Sequence, residues 1–262
     1  MRPVAAFKAI ISLDDGILMR GVFYLLLAAA ATFLVIDVKE INEAEAARPS
    51  LEPLPELPTF LPPKGPPGVP GAPPVQPSSP EEVLRRPLTF NLVPGGVLHV
   101  EGTIDPGAAE RFSREIEARG EYIKIVSLDS PGGSVDDALA MAKLIRDKAI
   151  ATKVGKRALC ASSCPLVFAG GVTRSAENGA VVGVHQIFNA GIDRGSPEQA
   201  MSSAQAITAQ VTRHLNEMGI GAGLWIHALE TAPNQLYYLT PAEMSKYRLT
   251  TEATGVVGAD SG

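Results

Sequence analysis

Residues 122–145 read YIKIVSLDSPGGSVDDALAMAKLI and carry the most informative pattern of the 262-residue chain. The first seven, YIKIVSL, form a short run of apolar and β-branched residues that is typical of a buried strand. After the glycine pair, apolar residues recur at helical spacing, and Ser134 can begin that helix with Asp137 as its capping-box partner. The stretch therefore predicts a strand, a glycine turn and a helix.

The same alternation continues on both sides of this stretch, from about residue 88 onwards. The predicted strands and helices, in chain order, are strands at 88–93, 97–100, 122–128, 151–154 and 180–185, and helices at 108–118, 134–145, 163–169, 196–218, 221–230 and 241–247. Strands that alternate with helices indicate an α/β domain with mainly parallel pairing. We assign this domain to residues 88–256 and a tail to residues 257–262.

An apolar segment at residues 17–38 is predicted to cross a membrane as an uncleaved signal anchor, because about 20 apolar residues suffice to span a bilayer. Before residue 21, Arg2, Lys8 and Arg20 outnumber Asp14 and Asp15, whereas six acids face two bases between residues 37 and 56. Basic flanks stay on the cytoplasmic side, so residues 1–16 are predicted to be cytoplasmic and the α/β domain periplasmic. The alternatives are a signal peptide cleaved near the Ala-Glu-Ala of residues 44–46, and a buried soluble helix.

A proline-rich linker is predicted between the membrane segment and the domain, at residues 39–87. Thirteen of the 22 prolines fall between Pro49 and Pro80. Such a stretch favours extended polyproline II conformation and acts as a semi-rigid spacer. A ligand for a proline-recognition module is the alternative interpretation.

Composition argues against some functions. The net charge of −5, the pI of about 5.5 and the aromatic content of 5% are unlike those of a nucleic-acid-binding domain, which is usually basic and offers aromatic stacking platforms. Two cysteines are too few for a disulfide scaffold or a four-cysteine zinc site. We therefore predict a protein that does not bind nucleic acid and has no metal or other cofactor.

Three short passages carry residue types that suit nucleophilic catalysis, namely the pair Gly132-Gly133, the pair Ser162-Ser163, and His185 at the end of a strand. Each has a plain structural interpretation, as turn glycines, as a helix cap and as a structural histidine. Together they supply a nucleophile, a general base and backbone donors for an oxyanion. Such groups can meet at one edge of an α/β sheet.

In chain order, SLDSPGGSVDDALAMAKLI, CASSCPLVFAGG and GVHQ resemble the Clp protease proteolytic subunit and its membrane-associated relatives such as signal peptide peptidase A. The resemblance to this Clp/crotonase superfamily covers roughly residues 88–250. It implies a spiral of β-β-α units, a serine peptidase acting on peptide or protein substrates, and a homo-oligomer.

The resemblance also implies a role for each matching residue. Ser162 falls on the nucleophile and His185 on the general base. The backbone N–H groups of Gly133, with Gly132 beside it, and of Ser163 fall on the oxyanion donors. Ser163 as the nucleophile, in place of its neighbour, is the alternative.

The chain departs from the family pattern at the third member of the catalytic triad. The position expected for the aspartate is Leu236, and no acidic residue lies between Glu230 and Glu243. Asn234 is predicted to orient His185, with a serine–histidine dyad as the alternative. The function predicted is a membrane-anchored, periplasm-facing serine peptidase of the inner (cell) membrane. The alternative is a catalytically silent domain that tethers a partner there.

Cys160 and Cys164 flank the two serines and are the only cysteines of the chain. Four residues apart, they can face each other on one helical turn, and the predicted compartment is oxidising, so we expect a disulfide. The bridge would fix the position of Ser162. Two reduced core cysteines, or a metal site with His185 as a third ligand, are the alternatives.

Overall fold

The computed structural model describes residues 15–46, 75–187 and 196–251. Two compact units are present, residues 1–56 and residues 57–262. Most of the predicted cytoplasmic N-terminus, the greater part of the proline-rich linker and the tail at 257–262 lie outside the described residues.

Helix α1, Asp15–Ala46, contains the predicted membrane segment. Within it, Met19–Lys39 has a mean hydropathy of 2.2, and its 21 residues are long enough to cross a bilayer. The hydroxyl of Thr32 donates to the carbonyl oxygen of Ala28 at 2.8 Å, so this polar group is satisfied within the helix. The helix extends eight residues beyond the predicted end at residue 38.

The second unit alternates strands and helices, as the sequence pattern predicts. Its elements, in chain order, are α2 (Glu81–Leu84), β1 (Thr89–Val93), β2 (Val97–Glu101), α3 (Ala108–Arg119), β3 (Ile125–Asp129), α4 (Val135–Asp147), β4 (Ala151–Val154), β5 (Leu159–Ala161), α5 (Cys164–Ala169), β6 (Arg174–Ala176), β7 (Val181–Val184), α6 (Pro197–Glu217), α7 (Ala222–Glu230), β8 (Tyr237–Tyr238) and α8 (Pro241–Lys246).

The strands form two sheets, and the predicted α/β class with mainly parallel pairing is confirmed. The first sheet has the order β1-β2-β3-β4-β6, in which only β1 is antiparallel to its neighbour. The second has the order β5-β7-β8, with β5 parallel and β8 antiparallel to β7. The sequence pattern missed β5, β6 and β8, because strands of two or three residues are too short to show a period.

The two sheets meet where β3 ends and β5 runs past it. The Ser130 N–H donates to the Leu159 carbonyl at 2.6 Å, and the Ala161 N–H donates to the Ser130 carbonyl at 3.0 Å. Parallel strands direct their carboxyl ends to the same edge. The turns that follow β3, β5 and β7 therefore lie together at this junction.

Ser134 caps helix α4 as predicted, but the role of Asp137 differs from that of a capping-box partner. The Ser134 hydroxyl accepts from the Asp137 N–H at 3.3 Å and donates to the Asp137 carboxylate at 2.6 Å. The other oxygen of that carboxylate accepts from the N–H groups of Gly107 and Ala109, so it caps the start of α3. Asp137 thus joins the N-termini of two helices.

The predicted domain start at residue 88 is too late. Leu84 in α2 is only 1% exposed and packs with Leu159, Ala161 and Val181. The Ser78 N–H donates to the Arg157 carbonyl at 2.9 Å. The high proline content led the sequence analysis to assign these residues to the linker. In the structure, the last residues of the linker already pack on β5 and β7.

Helix α6 is packed along only part of its length. Val211 and Leu215 are buried, whereas Ala200 and Ala204 are exposed. All described side chains from Ser196 to residue 206 are exposed. Only the second half of α6 therefore packs on the described part of the domain.

Candidate active site

Ser162 lies in the turn between β5 and α5 and has a left-handed backbone with φ +60°. This conformation is uncommon for any residue other than glycine and costs about 1–3 kcal/mol. The Ser162 N–H donates to the Gly183 carbonyl at 3.0 Å, which ties the turn to β7. The turn lifts the Ser162 side chain out of the line of the strand.

His185 directly follows β7, and its Nε2 lies 2.8 Å from Ser162 Oγ. The structure thus brings together the predicted nucleophile and the predicted base, although 23 positions separate them in the sequence. The register of β5 on β7, in which Ala161 is paired with Gly183, sets this distance. His185 is 5% exposed, so the contact is largely shielded from solvent.

The carbonyl oxygen of Pro233 lies 2.9 Å from Nδ1 of His185. A carbonyl oxygen can only accept a hydrogen bond, so the proton of a neutral imidazole is on Nδ1. Nε2 then has a free lone pair and accepts from the Ser162 hydroxyl. This is the tautomer that a general base needs.

The orienting contact predicted for Asn234 is made instead by the backbone of the preceding residue. The Asn234 side chain is exposed, and it has no hydrogen bond within the described part of the chain. Pro233 stands between α7 and β8, and the Gln186 N–H holds this connection by donating to the Thr231 carbonyl at 2.9 Å. The sequence could not predict the role of Pro233, because every residue type carries a backbone carbonyl and the sequence does not show which one faces His185.

The glycine turn after β3 packs against the Ser162 turn. A methyl group added at Gly132, which has φ +93°, would lie 2.6 Å from Ser162 Cβ and 2.8 Å from the Ser163 nitrogen. Within the described residues, the N–H groups of Gly133 and Ser163 have no hydrogen-bond acceptor. The predicted oxyanion donors are therefore backbone N–H groups on the two turns that meet at Ser162, and neither donates to another described residue.

The Ser163 hydroxyl neither caps α5 nor bonds to His185. This hydroxyl is buried and has no hydrogen-bond partner among the described residues. The hydroxyl bonded to His185 is that of Ser162. Ser163 therefore contributes its backbone N–H, and not its hydroxyl, to the candidate site.

Cys160 and Cys164 form a disulfide with Cα atoms 5.1 Å apart. Cys160 belongs to β5 and Cys164 begins α5, so the bridge spans the strand-to-helix turn rather than one helical turn. This placement corrects the predicted geometry. It encloses Ser162 and Ser163 between the two bonded cysteines, and both cysteines are fully buried.

A cavity of about 570 Å³ opens beside Ser162 and His185. Its other walls are mainly apolar and include Ile104, Leu166, Ile187, Ile207, Leu224 and Trp225. Such a lining favours an apolar group next to the reacting centre.

Comparisons with known proteins yield structural neighbours only. No protein-family model matches the chain, and no curated protein matches it. Solved structures that are similar include a mutant of the 1510-N membrane-bound stomatin-specific protease (19% identity, TM-score 0.43, 59% of this chain and 75% of that one). A mutant of ClpP1 from Listeria monocytogenes is also similar (14% identity, TM-score 0.44, 59% and 88%).

A second mutant of the 1510-N protease, solved with a substrate peptide, is similar over 59% of this chain and 71% of that one, with 19% identity and a TM-score of 0.43. The fold class itself rests on the strand order and registers described above, and the chemistry on the contacts around Ser162.

Proposed function

We propose that the chain is a membrane-anchored serine peptidase of the Clp-like class that cleaves peptides or proteins on the periplasmic side. The observation that carries the proposal is the 2.8 Å contact between Ser162 Oγ and His185 Nε2, with His185 held in the tautomer of a base. The N–H groups of Gly133 and Ser163, which have no acceptor among the described residues, also support the proposal.

In the proposed mechanism, Ser162 Oγ attacks the substrate carbonyl carbon while His185 Nε2 takes the hydroxyl proton. The N–H groups of Gly133 and Ser163 donate to the oxyanion that forms. The C–N bond then breaks, and His185 gives its proton to the leaving amine. Water, deprotonated by His185, hydrolyses the acyl-enzyme in the same way and releases Ser162.

The proposed site differs from a Ser-His-Asp triad in what faces His185 Nδ1. The Pro233 carbonyl orients the ring, but it is neutral and stabilises the imidazolium less than a carboxylate does. In the best-studied triad, exchanging the carboxylate for an amide costs about 10⁴-fold in turnover because the histidine takes the wrong tautomer. A carbonyl acceptor avoids that loss, and only the weaker stabilisation of the imidazolium applies here. We therefore expect slower turnover than in an enzyme with the full triad.

The pH dependence of the reaction follows from the burial of His185. Desolvation lowers the pKa of its imidazole, and the hydrogen bond to Pro233 offsets this only in part. The base works when neutral, so we expect kcat/KM to fall with decreasing pH at a midpoint below that of an exposed histidine. A pH–rate profile of the full chain in detergent micelles measures this, and a midpoint above that of an exposed histidine contradicts it.

The apolar cavity defines the proposed substrate preference. We expect the full chain in micelles to cleave quenched peptides with Leu before the scissile bond at least tenfold faster than the same peptides with Asp there, because a charged side chain loses its hydration in the cavity. Equal cleavage of both peptides contradicts the preference. Cleavage of neither favours the silent tethering domain.

Two features support the proposed location, namely the apolar helix α1 and the disulfide. A bridge such as Cys160–Cys164 persists in oxidising compartments, which agrees with the charge asymmetry around the apolar helix. A domain outside the cytoplasm, held to the inner membrane by one helix, is consistent with both the disulfide and the charge asymmetry. The homo-oligomer implied by the resemblance is part of the same proposal.

A further inference from the structure

Asp129, the last residue of β3, bonds to both the second sheet and the end of the linker. Its Oδ1 accepts from the Leu159 N–H at 2.8 Å, at the start of β5. Its Oδ2 lies 2.6 Å from Ser79 Oγ, in the segment that precedes α2. One carboxyl group therefore joins three separate parts of the chain.

A second carboxyl group shares the same hydroxyl. Glu101 ends β2, and the parallel register places it directly beside Asp129. Glu101 Oε1 lies 2.9 Å from Ser79 Oγ. The Ser79 hydroxyl is thus placed between two acidic side chains, both within hydrogen-bond distance.

The Ser79 hydroxyl is the donor in both contacts. Its one hydrogen is shared between Asp129 Oδ2 and Glu101 Oε1, so both carboxyl groups accept from the same side chain. Burial raises the pKa of Asp129, the charge of Glu101 raises it further, and the hydrogen bonds from Ser79 and Leu159 oppose this only in part. The Ser79 hydroxyl donates to Asp129 Oδ2 over the shorter distance, 2.6 Å against 2.9 Å to Glu101 Oε1.

The position of Asp129 matters for the site because the glycine turn begins at the next residue. The turn carries Gly133, whose N–H is a proposed oxyanion donor, while β5 leads into Ser162. The Asp129–Leu159 bond, together with the backbone bonds between Ser130 and β5, holds the glycine turn and β5 at a fixed separation. A shift of about 1 Å in catalytic geometry costs about 10²-fold in rate.

We propose that Asp129 is a positioning residue that holds the oxyanion turn against the nucleophile-bearing strand and, through Ser79, fastens the end of the linker to the same point. This inference rests on the proposed peptidase function for its effect on rate. Its structural part concerns only the hydrogen bonds of Asp129.

The first test compares Asp129→Ala with Asp129→Asn in the full chain in detergent micelles. Asparagine keeps an oxygen for the Leu159 N–H, and its NH₂ can donate to Ser79 Oγ, so both contacts survive with the direction of the second one reversed. We expect acylation by a fluorophosphonate probe to slow about 10- to 100-fold in Asp129→Ala and to stay within about twofold of wild type in Asp129→Asn. Equal losses in the two variants, or no loss in either, overturn the proposal.

Ser79→Ala tests the link to the linker, with Ser78→Ala as the matched control. Among the described residues, the Ser78 hydroxyl donates to the Arg157 carbonyl, at 3.3 Å, and to no carboxyl group. We expect Ser79→Ala to slow acylation several-fold and to increase deuterium uptake at residues 75–84, and Ser78→Ala to do neither. Equal behaviour of the two variants overturns the role of Ser79.

Deuterium exchange tests the positioning role of Asp129 without relying on enzymatic activity. Asp129→Ala should raise uptake in peptides covering 130–134 and 159–163, and Asp129→Asn should leave both unchanged. If wild type is not acylated at all, the proposed function fails, and exchange alone decides the inference. Unchanged uptake in Asp129→Ala overturns it.

Discussion

Ser162→Ala is expected to lower peptide turnover by about 10³-fold or more, because it removes the nucleophile while leaving the fold intact. Residual activity would come from the oxyanion donors and from substrate binding alone. The measurement is cleavage of the Leu-containing peptide by the full chain in micelles. Ser202→Ala, at an exposed position of α6, is the control and should cleave at the wild-type rate.

The same position tests whether the Ser162 turn is strained. Ser162→Gly removes the hydroxyl as Ser162→Ala does, but glycine adopts φ +60° without steric cost. We expect both variants to be inactive and the glycine variant to be more stable to unfolding by about 1 kcal/mol. An alanine variant as stable as the glycine variant, or one that retains wild-type turnover, contradicts this account.

Gly132→Ala is expected to lower turnover by about 10²–10³-fold, which is the usual cost of losing one oxyanion-hole donor. The added methyl group would lie 2.6 Å from both the Ala161 carbonyl oxygen and Ser162 Cβ, so the two turns must separate. Their separation moves the Gly133 N–H away from the position of the oxyanion. Peptide cleavage by the full chain measures the loss.

Gly95→Ala is the matched control for that prediction. Gly95 has φ +90°, close to the +93° of Gly132, but a methyl group there meets nothing within 4 Å. Both substitutions incur a similar left-handed backbone cost of about 1–2 kcal/mol, and only Gly132→Ala adds the collision. Equal activity of the two variants would show that the glycine turn does not position the site.

The sequence predicted the longer elements and the two central side chains of the site. Helices such as α3 and α4 have clear apolar periods, and residue types together with the resemblance singled out Ser162 and His185. The pairing of these two side chains depends on the register of β5 on β7. That register could not be predicted, because β5 has only three residues.

The remaining features depend on backbone groups and on contacts between distant segments. The Pro233 carbonyl replaces the predicted role of Asn234, and any residue type could supply such a group. The convergence of Ser79, Glu101 and Asp129 joins residues up to 50 positions apart. Leu84 lies just after a proline-rich stretch, so composition alone assigned it to the linker.

The central claim is that Ser162 is a nucleophile activated by His185. Incubation of the full-length chain with a fluorophosphonate, followed by proteolysis and mass spectrometry, tests it most directly. We expect one adduct, located on Ser162, and no adduct when His185 is replaced by alanine. An unlabelled wild-type chain, or an adduct on Ser163 or another residue, would contradict the claim.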